Sequence, residues 1–239
     1  MRSSWLSLAP FLSLATAHFT LNYPTSRGFD EDTLPTFPCG AEPQSSNRTV
    51  LSLTEGSLPV SITLHHTQTA VTILLGLGND VGSNFNITLT PTFGVTGLGD
   101  FCLPHVPLDP KTLGTVLTDG TNATLQVQTN GDTGGGLYAC ADITFSSSVK
   151  SDTPTSCTNN SGIQATPFVG AAAARTANLS TPDGQPQSGS SSGSSSASSG
   201  SSTATGASST ATSTGAAASL QTAAWGVLGA ALAGALAVL

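Results

Sequence analysis

Val60-Ser61-Ile62-Thr63-Leu64-His65-His66 points to β structure. Apolar side chains at every second position give the two-residue period of a β-strand with one face buried. Val71, Ile73 and Leu75 repeat the pattern after a polar break, and Asn86 to Thr90, Thr124 to Gln128 and Tyr138 to Phe145 carry further short runs. Gly76-Leu77-Gly78-Asn79-Asp80, Gly97-Leu98-Gly99, Asp119-Gly120 and Gly131-Asp132-Thr133-Gly134-Gly135-Gly136 punctuate them as turns. Short strands at this spacing predict an all-β, two-sheet antiparallel sandwich with few helices. Thr33 to Pro43 reads as an irregular loop, because three prolines interrupt it and Cys39 would pin it.

Around this frame the chain changes character. Residues 1–17 hold Arg2, an apolar run from Trp5 to Leu14 and Ala15-Thr16-Ala17, the parts of a cleavable secretion signal. Residues 18–168 suit one domain with a single core. Residues 169–219 become a Ser/Thr/Gly/Ala-rich stalk, too poor in large apolar residues to offset chain entropy, and are expected to be disordered. Residues 220–239 form an uncharged apolar tail. With small residues near 206–215 and the polar spacer before it, that tail reads as a removed GPI-anchor signal. The expected location is the extracellular face of the plasma membrane, held by lipid, or the cell wall.

Four cysteines, Cys39, Cys102, Cys140 and Cys157, all fall in the predicted domain, so an oxidising compartment implies two disulfides of open connectivity. Sequons at Asn47, Asn86, Asn122, Asn159 and Asn178 predict N-glycans. A net charge of −7 with only 6 Lys and Arg offers no basic patch for phosphates, which excludes nucleic acid as a partner.

Cleavage after Ala17 would leave His18 first in the chain. Its free α-amine and imidazole Nδ1 could then close a chelate ring on one metal ion, and nitrogen donors of this type suit Cu(II). Three other histidines remain. If the strand from Val60 continues unbroken, His66 shares the inward face of Val60, Ile62 and Leu64 while His65 points out. His18 with two nitrogens and His66 with one would give a T-shaped set, a histidine brace. His105 lies between Pro104 and Pro107 and reads as a loop residue, with ligation as its lesser alternative. Candidate carboxylates are Asp142, Asp100, Asp30 and Glu31. Asp142 leads because it follows Cys140 by two residues and shares its strand face.

His18-Phe19-Thr20-Leu21-Asn22-Tyr23-Pro24, Arg27-Gly28-Phe29-Asp30-Glu31-Asp32, Pro38-Cys39-Gly40, Gly99-Asp100-Phe101-Cys102-Leu103-Pro104 and Leu137-Tyr138-Ala139-Cys140-Ala141-Asp142-Ile143 resemble a fungal family of LPMO-like copper proteins, the copper acquisition factors. The resemblance spans the predicted domain. It implies an immunoglobulin- or fibronectin-like sandwich binding one Cu(II) through a histidine brace joined by an aspartate, serving copper handling rather than polysaccharide oxidation. Carried over, His18 is the first ligand, His66 the second and Asp142 the acid, with His65 and Asp100 as alternatives.

The function expected is therefore a monomeric, cell-surface Cu(II)-binding protein that captures or buffers copper without turnover and hands it to a plasma-membrane copper transporter. An anionic oxygen ligand favours Cu(II) over Cu(I), which works against reductive oxygen activation. Trp5 and Trp225 both lie in segments expected to be removed, leaving no tryptophan to stack on sugar rings. The alternatives are a copper-dependent oxidase of a cell-wall glycan and a metal-free wall adhesin.

Overall fold

The protein is described by a computed structural model over residues 18–150 and 153–188. The expected signal peptide, GPI attachment region and apolar tail, and the stalk from residue 189 onward, lie outside those residues. Among the described residues, nine strands appear: β1 (Phe19–Tyr23), β2 (Thr49–Ser52), β3 (Ser57–Leu64), β4 (Gln68–Leu77), β5 (Ile87–Thr96), β6 (Gly99–Pro107), β7 (Asn122–Asn130), β8 (Gly136–Ser146) and β9 (Gln164–Pro167). Two short helices, α1 (Pro110–Leu113) and α2 (Gly170–Ala174), complete the regular structure together with two 3-10 turns.

The strands form a three-stranded sheet, ordered β1-β3-β6, and a six-stranded sheet, ordered β2-β8-β7-β4-β5-β9. Pairing is antiparallel except between β2 and β8. The sandwich predicted from the alternation is present, and its core joins Val60, Ile62 and Leu64 of β3 to Val71, Ile73 and Leu75 of β4 and Leu125 and Val127 of β7. Each sheet contributes one face of apolar side chains, as a two-layer β-domain requires.

The outer face of the six-stranded sheet is also covered. Thr124, Gln126, Gln128 and Asn130 of β7 point away from the core side chains, yet all are buried. Two segments roof them. From one side, the Arg27 amide donates to the Cys140 carbonyl at 2.8 Å and the Tyr138 amide donates to the Leu34 carbonyl at 3.0 Å, which lays the Thr33–Pro43 loop over β8. From the other, the Ala177 amide donates to Thr72 Oγ1 at 2.8 Å with Ala177 fully buried.

This second roof corrects the boundary placed at Phe168. Small side chains made residues 169–188 look like stalk, but Ala177 can pack flush on the sheet and backbone groups there bond to Thr72 and Thr92. His105 is likewise a strand residue, not a loop residue. Opposite Pro59, β6 carries the extra residues Pro104 and His105 between the pairs Val60–Leu103 and Leu58–Val106. A bulge on an edge strand accommodates a proline that cannot donate to the ladder.

The cysteines pair as Cys39–Cys140 and Cys102–Cys157. Gly40 sits at φ +66, and a Cβ there would meet the Tyr138 carbonyl oxygen at 2.9 Å, so only glycine lets the loop approach β8 this closely. Of the sequon asparagines, Asn47, Asn86 and Asn159 are exposed, while Asn122 and Asn178 are partly buried.

Candidate metal centre

His18 precedes β1, and the β1–β3 register decides its neighbour. Phe19 pairs with Leu64, so the next step outward sets His18 opposite His65. The His65 amide donates to the His18 carbonyl at 3.2 Å, and the two rings stack with centroids 4.3 Å apart and planes 25° from parallel. Glu31 Oε1 lies 3.4 Å from His18 Nδ1, and Phe29, an exposed aromatic, stands 6.1 Å from the His18 ring. Burial lowers the His65 pKa, His18 lowers it further and Glu31 opposes both, which favours a neutral imidazole.

His66 faces a different partner. β3 ends at Leu64, so the alternation that was to carry His66 inward stops before reaching it. Its Nδ1 lies 2.9 Å from the Gln68 carbonyl oxygen, while the Gln68 amide is farther away, at 3.5 Å. A carbonyl only accepts, so the shorter contact assigns a proton to Nδ1, and in the neutral ring the lone pair is then on Nε2. Nε2 points to Asp132 Oδ1 at 3.4 Å. Two lone-pair atoms facing one another at that distance call for a proton or a cation between them.

Asp132 is not among the carboxylates that the sequence singles out. It lies in the Gly131–Gly135 turn between β7 and β8, where only its place among glycines was apparent. Topology brings it in: β4 pairs with β7 up to Val71–Thr129, so His66, just before β4, and Asp132, just after β7, lie at the same end of the sheet. The signal exists only once β4 is known to pair with β7.

Asp142 is placed elsewhere. It does share a face with Cys140, but that is the roofed outer face of the large sheet. Its two oxygens accept from Arg27 Nε and Nη2, each at 2.8 Å, and also from Thr124 Oγ1 at 2.7 Å and the Ser45 amide at 2.8 Å. Burial raises its pKa, but the bonds from Arg27, Thr124 and Ser45 outweigh burial and hold it below the ordinary value. A carboxylate so engaged has its lone pairs spent on structure, which corrects its assignment as metal acid. Asp100 is bound by Thr63 Oγ1 on the β3–β6 ladder. Among the described residues, no three His, Cys, Asp or Glu side chains already converge to hold an ion.

A profile of the family described as "Copper acquisition factor BIM1-like" matches residues 16–162. The chain belongs to this copper acquisition factor family. An uncharacterized protein of Aspergillus fumigatus is 64% identical over the full length of both chains. Copper acquisition factor BIM1 of Cryptococcus neoformans var. grubii is 34% identical over 62% of this chain and 69% of its own. A lytic polysaccharide monooxygenase-like protein X325 of Yarrowia lipolytica is 32% identical over 69% of this chain and 62% of its own. Membership supports a role in copper acquisition for the β-sandwich described above.

Proposed function

We propose that this protein captures Cu(II) outside the cell at a centre formed by His18, His66 and Asp132, and passes it on without turning over a substrate. The observation that carries the reading is His66: its Nδ1 is tied to a backbone carbonyl and its Nε2 is aimed at a carboxylate. A hydrogen-bonded second nitrogen fixes tautomer and ring orientation at histidine metal ligands. His65 fits less well. An ion bound by imidazole lies in the ring plane about 2 Å from the nitrogen. Two rings stacked nearly parallel hold their lone pairs in separate planes and do not converge on one ion.

The donor set becomes complete when secretion exposes the His18 α-amine, a main-chain nitrogen that no count of side chains includes. Amine, two imidazoles and one carboxylate suit Cu(II) by ligand type and by the Irving–Williams order. The His18 chelate grips the ion, His66 supplies the third nitrogen and Asp132 favours the divalent state. His65 packs on the His18 ring, and Glu31 lies against its Nδ1 until the ion arrives. A GPI lipid at the end of a glycosylated stalk would keep the site at the plasma membrane, close to a copper transporter.

Cu(II) titration of the secreted chain, followed by electron paramagnetic resonance, tests the reading. One tightly held Cu(II) with several nitrogen couplings is expected, and His66→Ala should weaken binding by more than about a hundredfold, beyond the usual loss for an outer-shell partner. Unchanged affinity in His66→Ala would refute the ligand set.

A further inference from the structure

Beside His66, a cleft of about 530 Å³ opens between the Gly131–Gly135 turn and the end of the C-terminal roof, with His66, Asp132, Thr133, Thr181 and Gln187 among its walls. One side chain ties the two walls together. Gln187 Oε1 accepts from the Gly135 amide at 2.6 Å, and Gln187 Nε2 donates to the Gly135 carbonyl at 3.0 Å and to the Ser180 carbonyl at 2.9 Å. Its own amide donates to the Leu179 carbonyl at 3.0 Å. The side-chain amide thus pairs with one residue of the turn in both directions, as a neighbouring strand would.

The turn needs such a support. Gly134 and Gly135 both adopt positive φ, at 94° and 76°, and glycine-rich backbone loses more freedom on ordering than any other. Within the turn, only the Gly131 amide to the Gly135 carbonyl at 3.1 Å and the Gly134 amide to the Gly131 carbonyl at 3.4 Å close the backbone. Asp132 sits between these glycines, and its direction toward His66 depends on how the turn is held.

From this geometry we infer that Gln187 is a positioning residue for the copper centre, acting through the Gly131–Gly135 turn to hold the Asp132 carboxylate against His66. The inference rests on Asp132 being a copper ligand. It also gives the roof a function, although Gln187 lies beyond residues 16–162, the span matched by the family profile. The roof is anchored independently by the Ala177 amide on Thr72 Oγ1 and by the Arg175 carbonyl, which accepts from Thr92 Oγ1 of β5, so removing one amide should leave it in place.

The test is a double-mutant cycle on the full secreted chain, with Cu(II) affinity read by competition against a chromophoric chelator, copper signals by electron paramagnetic resonance and folding by thermal melting. Gln187→Ala is expected to weaken Cu(II) roughly tenfold and alter the copper spectrum, as losing an outer-shell support does, with little change in melting. In an Asp132→Asn background the same substitution should have no further effect. Gln187→Glu, which keeps the acceptor for the Gly135 amide but loses the donor, should fall between wild type and Gln187→Ala. If Asp132→Asn weakens binding while Gln187→Ala leaves affinity and spectrum unchanged, or weakens both backgrounds equally, the positioning role is overturned. If Asp132→Asn itself has no effect, the ligand assignment fails and the inference falls with it.

Discussion

His18 and His65 are cross-strand neighbours, joined by an amide-to-carbonyl bond of 3.2 Å and stacked rings 4.3 Å apart. The pair fixes where His18 sits, while the next residue, His66, is aimed at Asp132. In the proposed centre, adjacent histidines divide two tasks, packing and ligation. His65→Ala should lower Cu(II) affinity by no more than about tenfold, the scale of an outer-shell contact, whereas His66→Ala should cost far more. Isothermal titration of both variants checks this, and the reverse order would assign ligation to His65.

Asp142 should govern stability rather than copper. Arg27 and Asp142 are a buried, bidentate ion pair with side-chain exposures of 8% and 0%. Removing one partner strands the other, so Asp142→Asn should destabilise the domain by about 3 kcal/mol while copper stoichiometry stays at one. Urea unfolding and copper titration on the same variant separate the two effects.

The same pair sets a pH dependence. Because the Asp142 carboxyl lies below its ordinary value of 3.8 in the fold, the folded state binds its proton less readily than the unfolded chain does. Its contribution is therefore full at neutral pH and is lost as pH falls through and below that ordinary value. Urea midpoints measured from pH 7 to pH 2 should decline below about pH 4, and the decline should be shallower in Asp142→Asn.

The C-terminal roof should behave as part of the domain. The Ala177 amide, bonded to the buried Thr72 hydroxyl, should show hydrogen-exchange protection comparable to β7, and Ala177→Leu should destabilise by about 1–3 kcal/mol through overpacking. Exchange as fast as in an unstructured chain would return residues 169–188 to the stalk.

Much of the sandwich was legible because its strands bury one apolar face, as Val60, Ile62 and Leu64 display. The roof was not, since alanine, threonine and glycine lack the period that marks a buried face and pack only because a sheet surface awaits them. At the proposed site, His18 could be read from the expected secretion signal. Asp132 could not, because it meets His66 through the pairing of β4 with β7, a contact set by topology. Asp142 drew attention through its neighbour Cys140, but sharing a strand face does not tell which side of a two-layer fold that face looks onto.

In the proposed centre, the α-amine of His18 holds the copper. Secreted protein with a verified N-terminus should be compared with the same chain carrying one extra residue before His18, by Cu(II) titration with electron paramagnetic resonance. Tight one-to-one binding with a multi-nitrogen spectrum is expected in the first and its loss in the second, because the amine has become an amide. Equal binding by both chains would contradict it.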